Sequence, residues 1–140
     1  MKIAIDVMGT DYGPGEIIKG ALQAVDEYGC QVVLVGKEDI VKEELAKQNH
    51  ADNKLVVIQN ATEVIEMSDH PGVSVKKKKD ASIVVATKLL RHGDCDALVS
   101  AGSTGAAVAS ALFGLGRIKG IERPSIATTI PNIKGATVLL

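Results

Sequence analysis

Two stretches of this 140-residue chain carry residues of the right type and spacing for chemistry. The first is "IDVMGTDYGPG", where an apolar run ends on Asp6 and enters a loop holding Gly9, Asp11, Gly13 and Pro14. A carboxylate at the end of a buried strand lies where open α/β sheets place ligands, outside the carboxyl ends of their strands. The competing reading is a plain strand-to-helix turn in which Asp11 caps the helix. The second stretch is "ALVSAGSTGAAVAS". Its strand ends at Ser100, and Ser103 or Thr104 stands where a helix would be capped. Gly102 and Gly105 allow close backbone approach, and the free N–H groups of a helix start suit an anion, phosphate above all. Ser100, Ser103 and Thr104 add hydroxyls. The competing reading is a helix of small residues packed tightly on the sheet. It explains the alanines better, and it explains the crowding of Ser, Gly and Thr at the strand end less well.

Several motif readings fail on single residues. Asp6-Val7-Met8-Gly9-Thr10 approaches the Asp-x-Asp-Gly-Thr of haloacid-dehalogenase-type phosphatases, but Met8 replaces the second carboxylate, which handles the leaving-group proton. A sugar-kinase-like Asp-x-Gly-Gly-Thr loop needs glycine freedom where Met8 stands. Neither G-x-G-x-x-G nor G-x-x-x-x-G-K-[ST] occurs, so a dinucleotide fingerprint and a P-loop are absent. Cys95 lies between Asp94 and Asp96, which disfavour a thiolate. Cys30 begins a strand and reads as buried. His70 in a turn is a candidate base, while His50 and His92 end helices. No carboxylates or histidines stand at metal-ligand spacing, so no metal is expected. Lys76, Lys77, Lys78 and Lys79 precede a predicted helix, where they oppose its dipole. They form either a solvated face or an electropositive patch for an anionic substrate or acidic protein. Arg117, Lys119 and Arg123 add charge further on.

The elements that must position these residues alternate. Strands are predicted at 2–7, 31–36, 54–59 and 97–102, and helices at 15–28, 37–48, 80–92 and 103–116. Gly29 and Gly93 act as stops. Residues 60–79 are irregular, with a turn signal at Asp69-His70-Pro71-Gly72. Two further strands are expected at 125–131 and 136–140. Near-continuous apolar strands alternating with helices predict a parallel sheet covered on both faces, an α/β Rossmann-like three-layer sandwich. With two Tyr, one Phe and no Trp, the core must be aliphatic. A net charge of −1 argues against nucleic-acid binding. No run reaches membrane-spanning length and no signal peptide is evident. Two cysteines fit a reducing cytoplasm. The apolar run "KGATVLL" stops without a polar close, which predicts a fragment of a longer protein.

Taken in order, "IDVMGTDYGP", "EVIEMSDHPG", "KKKKDAS", "ALVSAGSTGA" and "GRIKGIERPSIATTIP" resemble the amino-terminal part of the phosphate acyltransferase family, the acyl-carrier-protein:phosphate transacylases of bacterial phospholipid synthesis. The resemblance spans nearly the whole chain. It departs at Thr10, where the family has Gly, and at Ser103, where it has Asn. It implies residues 1–140 as the first part of a single catalytic domain, with a fold like isopropylmalate dehydrogenase and phosphotransacetylase. It further implies fatty acyl transfer from acyl carrier protein to inorganic phosphate, no cofactor, a cytoplasmic homodimer, and peripheral membrane contact through later sequence. On that reading Gly9, Gly13, Ser100, Gly102, Ser103, Thr104 and Gly105 hold phosphate and substrate. Asp6 and Asp11 are the candidate catalytic residues, and Lys76 to Lys79 with Arg117 dock the acidic carrier protein. A non-catalytic phosphate- or nucleotide-binding module with the same sheet stays open as the alternative.

Overall fold

The computed structural model describes residues 1–48 and 53–140; His50 lies outside them. The chain runs β1 (Lys2–Asp6), α1 (Pro14–Tyr28), β2 (Gln31–Gly36), α2 (Glu38–Lys47), β3 (Val56–Asn60), α3 (Pro71–Lys77), α4 (Ser82–His92), β4 (Ala97–Ser100), α5 (Thr104–Gly114), β5 (Thr128–Asn132) and β6 (Gly135–Leu139). Four strands form one parallel sheet in the order β3-β2-β1-β4.

Side-chain alternation along each strand divides the core between the two faces. On one face Ile5, Val7, Val32 and Leu34 pack with Ile18, Leu22 and Val25 of α1 and with Val41 and Leu45 of α2. On the other, Ala4, Val33 and Val35 pack with Val85 and Ala86 of α4. The layers are therefore helix, sheet, helix, as the aliphatic patterning predicts. α1 starts with Pro at its first position, and Gly29 closes it in the left-handed conformation (φ 60°), its N–H bonded to the Val25 carbonyl at 2.9 Å. Gly93 ends α4 in the same way, with φ 79°.

The topology creates one special place. β2 and β3 lie on one side of β1, and the chain then returns past β1 to form β4 on the other. Connections on the two sides of β1 thus run over opposite faces. The carboxyl ends of β1 and β4 are therefore the switch point of the sheet, where open α/β folds place their ligand crevice.

Three expectations are corrected. The predicted strands at 125–131 and 136–140 do not join the parallel sheet. They pair with each other as an antiparallel hairpin, with every residue exposed. An apolar run reads as a strand from sequence, but its partner is set by contacts the run does not contain. The irregular 60–79 segment holds a seven-residue helix, α3. The lysine run does not open α4: Lys76 and Lys77 form the last turn of α3, where cations favour the dipole, and α4 begins only at Ser82.

Candidate functional site

Parallel pairing sets Asp6 opposite Ser100 at the carboxyl edge of the sheet. Asp6 follows Ala4 on the α4 face, so its side chain points into protein and is 4% exposed. The Ser100 hydroxyl donates to Asp6 Oδ2 at 2.9 Å, the Met8 amide donates to Oδ1 at 3.2 Å, and the Gly102 amide donates to Ser100 Oγ at 3.3 Å. The carboxylate thus ties both loops through one short chain of bonds. Burial is the largest influence on its acidity and raises its pKa above the ordinary carboxylate value; the hydroxyls of Ser82 and Ser100 and the Met8 amide pull in the other direction.

The loops touch where glycine permits it. A Cβ on Gly102 would lie 3.3 Å from the carbonyl oxygens of both Met8 and Gly9. Gly9 has φ 69°, and a Cβ there would lie 2.8 Å from the Ile65 carbonyl oxygen. Gly13 is the residue preceding α1, with φ 79° and open space around its Cα, and it shapes the helix start. The Thr10 hydroxyl donates to the Gly13 carbonyl at 2.9 Å and closes the loop. The family departure at Thr10 thus has a local bonding role. Asp11 is exposed, and Gly13 occupies the cap position of α1. The helix-capping reading of Asp11 is therefore wrong, and no hydrogen bond among the described residues joins it to Asp6.

The start of α5 sits beside this pair. Ser103 caps it, its Oγ accepting from the Ala106 amide at 3.3 Å. Ser and Asn serve equally as caps, so the departure at Ser103 keeps the local geometry. Of the first-turn amides, Ala106 is bonded to that cap. Thr104 and Gly105 are exposed at the helix start, where amides have no intrahelical partner. The body of α5 packs as the competing reading holds, though against helices instead of the sheet. A Cβ on Gly105 would lie 2.7 Å from Pro71 Cγ, one on Gly114 would lie 2.5 Å from Thr87 Cγ2, and Ser110 Oγ is 2.7 Å from Thr87 Oγ1.

Sequence reasoning missed two contributors. Ser82, in the first turn of α4, is 2% exposed and lowers the Asp6 pKa across 76 residues of sequence. Only a polar residue at a helix start signalled it. Its position is fixed by a clasp: Asp80 Oδ2 accepts from the Thr62 amide at 2.8 Å and from its hydroxyl at 2.5 Å, and the Asp80 amide donates to Glu63 Oε2 at 3.0 Å. Pro71 is the other, seating the start of α3 against Gly105. It brings the turn holding His70 to the rim of the second loop.

The basic residues have different surroundings. Lys78 Nζ is turned inward, donating to the Val64 carbonyl at 2.8 Å and to Asp69 Oδ2 at 2.6 Å, a bond that holds the Asp69 pKa below its ordinary value. Lys76 Nζ lies 4.7 Å from the centre of the Phe113 ring. Arg117 donates to the Glu122 carbonyl at 2.7 Å in a separate loop after α5. Cys95 is buried, and that burial, with Asp94 and Asp96 adding to it and Lys2 opposing it, pushes its thiol pKa up. Among the described residues there is no cluster of three metal-ligating side chains, and no helix is long and apolar enough to cross a membrane.

The chain is similar to phosphate acyltransferases over its whole length. It is 60% identical to the protein of Pelotomaculum thermopropionicum across 140 residues, 52% identical to that of Desulfitobacterium hafniense and 50% identical to that of Heliobacterium modesticaldum. It spans 40%, 41% and 42% of those proteins respectively, about two fifths of the relatives it matches. The match to the family described as "Fatty acid synthesis protein" covers residues 1–140, and the chain belongs to that family.

Proposed function

We propose that the full-length protein transfers a fatty acyl group from acyl carrier protein to inorganic phosphate, and that the switch point between β1 and β4 holds the phosphate. The single observation that carries this reading is the Asp6–Ser100–Gly102 chain of hydrogen bonds, which fixes the α5 start beside the crevice. Family membership and the names of the relatives support it.

The reaction asks little covalent work of the protein. An oxygen of hydrogen phosphate attacks the thioester carbonyl, a C–O bond forms, the C–S bond breaks, and the leaving carrier thiolate takes up the proton that the phosphate gives up. The protein must hold phosphate beside the thioester and stabilise the oxyanion that forms. The Thr104 and Gly105 amides, the positive end of α5 and the Thr104 hydroxyl serve the first need. Asp6 acts through Ser100 and is a positioning residue: it fixes the second loop and makes no contact with phosphate in this scheme. Gly102 keeps the two loops in contact, so the crevice has one shape. His70, at its rim, is available to protonate the departing sulfur.

The test is acyl-phosphate formation by the full-length protein, supplied with acyl carrier thioester and phosphate together and then with each omitted. Formation only with both present is the expected result. Phosphate binding without acyl transfer would favour a non-catalytic phosphate-binding module.

A further inference from the structure

A second concavity lies away from the switch point, between α3, α4 and α5. Its volume is about 190 Å³, and its wall carries four cations: Lys76, Lys79, Lys88 and Arg91. All four are exposed. Val75, Val84 and Phe113 make its apolar lining. No carboxylate lines it, and no ion pair among the described residues engages the four cations. Two of the heads have neutral partners: Lys76 lies over Phe113, and Lys88 Nζ donates to the Lys79 carbonyl at 2.8 Å. The Asp80 carboxylate is near enough to Lys88 for their charges to interact, yet the concavity keeps a surplus of positive charge that an acidic partner would complement. The cavity is smaller than the roughly 300 Å³ at which ligand pockets begin. It fits one inserted side chain better than a whole metabolite, and cations contributed by α3, the following loop and α4 suit several carboxylates spread over a surface.

We propose that this concavity docks an acidic protein surface, with Lys76, Lys79, Lys88 and Arg91 meeting carboxylates around one apolar side chain seated against Phe113. It rests on the acyltransferase reading only in identifying that protein as the carrier of the acyl group. It replaces the four-lysine run with a different set: Lys88 and Arg91 enter, while Lys77, Lys78, which is tied to Asp69, and Arg117 leave.

The experiment uses full-length protein and purified acyl carrier protein, with direct binding measured by calorimetry across a salt series. Lys88→Gln with Arg91→Gln should weaken carrier binding about 2- to 30-fold, from two rim pairs of ordinary strength, and flatten its salt dependence. Phe113→Ala should weaken binding while leaving the salt slope in place. Lys19→Gln, an exposed cation on α1 in the opposite layer, should do neither. Both substituted cations are exposed, so folding is retained, and thermal melting checks it. Unchanged carrier affinity in the double variant overturns the proposal. So does a variant that loses affinity for inorganic phosphate, titrated alone, but not for the carrier. A parent protein that binds the carrier but forms no acyl phosphate would instead defeat the acyltransferase reading and leave the docking result standing.

Discussion

Replacing Asp6 separates a positioning role from a merely structural one. Asp6→Ala removes the acceptor of the Ser100 hydroxyl and of the Met8 amide. Each buried donor left unpaired costs about 1–3 kcal/mol. Both donors belong to half-buried residues that water reaches in part, so we expect a combined loss of about 2–4 kcal/mol, or roughly 10 °C in Tm for a domain of this size. Asp6→Asn is different. It keeps one acceptor, weakens one bond, and removes the cost of burying a charge. Its net effect on stability should stay within about 1 kcal/mol. The pH dependence supplies the discriminating sign. Burial raises the folded-state pKa of Asp6 above 3.8, so between 3.8 and the raised value the folded protein holds more protons than the unfolded chain. The parent therefore loses stability as pH climbs through that window and stays level above it. Asp6→Asn lacks this group, so its stability relative to the parent should grow across the window. The assays are denaturant unfolding from acid to neutral pH and the phosphate dependence of acyl-phosphate formation in the full-length protein. Displacing the second loop should lower kcat/KM for phosphate by about 10- to 100-fold, the scale of an ångström misplacement. Identical stability–pH profiles for parent and Asp6→Asn would refute the buried-charge argument. Unchanged phosphate dependence would leave Asp6 as a fold determinant alone.

Two further outcomes are expected. Ser103→Ala with Thr104→Val removes the α5 cap and a hydroxyl, costing about 1 kcal/mol of stability and raising the KM for phosphate; an unchanged KM would remove the α5 start from the phosphate site. Gly105→Ala places a methyl 2.7 Å from Pro71 Cγ, an overpacking cost of about 1–3 kcal/mol that exceeds the 0.5–1 kcal/mol gained by exchanging Gly for Ala inside a helix, so Tm should fall; a rise would show that α3 moves aside freely.

What the sequence made legible was local. "KIAID" and "QVVLVG" read as buried strands because apolar residues run without a break, and Gly29 and Gly93 read as stops because they follow helical periods. The same locality hid α3. Seven residues are too few to display a period, and this helix is held by Pro71 at its start and by the Lys78–Asp69 clasp. The lysine run looked like one patch for the same reason. Consecutive residues on a helix end point in different directions, and one of the four turned inward. Asp6 and Ser100 were each readable as strand ends, but their pairing depends on the order β3-β2-β1-β4. That order is decided by which faces the helices cover, and no stretch of the chain states it.

If the α5 start binds phosphate as proposed, its tight packing and its anion binding are one arrangement. Helix starts with free amides are common, and such a start serves a reaction only if it is held still. Gly105 and Gly114 bring α5 against Pro71 and Thr87 at points nine residues apart, about 13 Å along the axis. A rod fixed at two such points can neither slide nor tilt without driving its backbone into a neighbour. The Thr87–Ser110 hydrogen bond, buried between them, fixes its rotation. The small side chains that argue for packing thereby place the Thr104 and Gly105 amides at the switch point, a short step from Ser100 and its bond to Asp6. Larger side chains along α5 would leave its cap intact and move its first turn away. Packing variants far from the crevice, at Gly114 for instance, should therefore disturb phosphate use as well as stability.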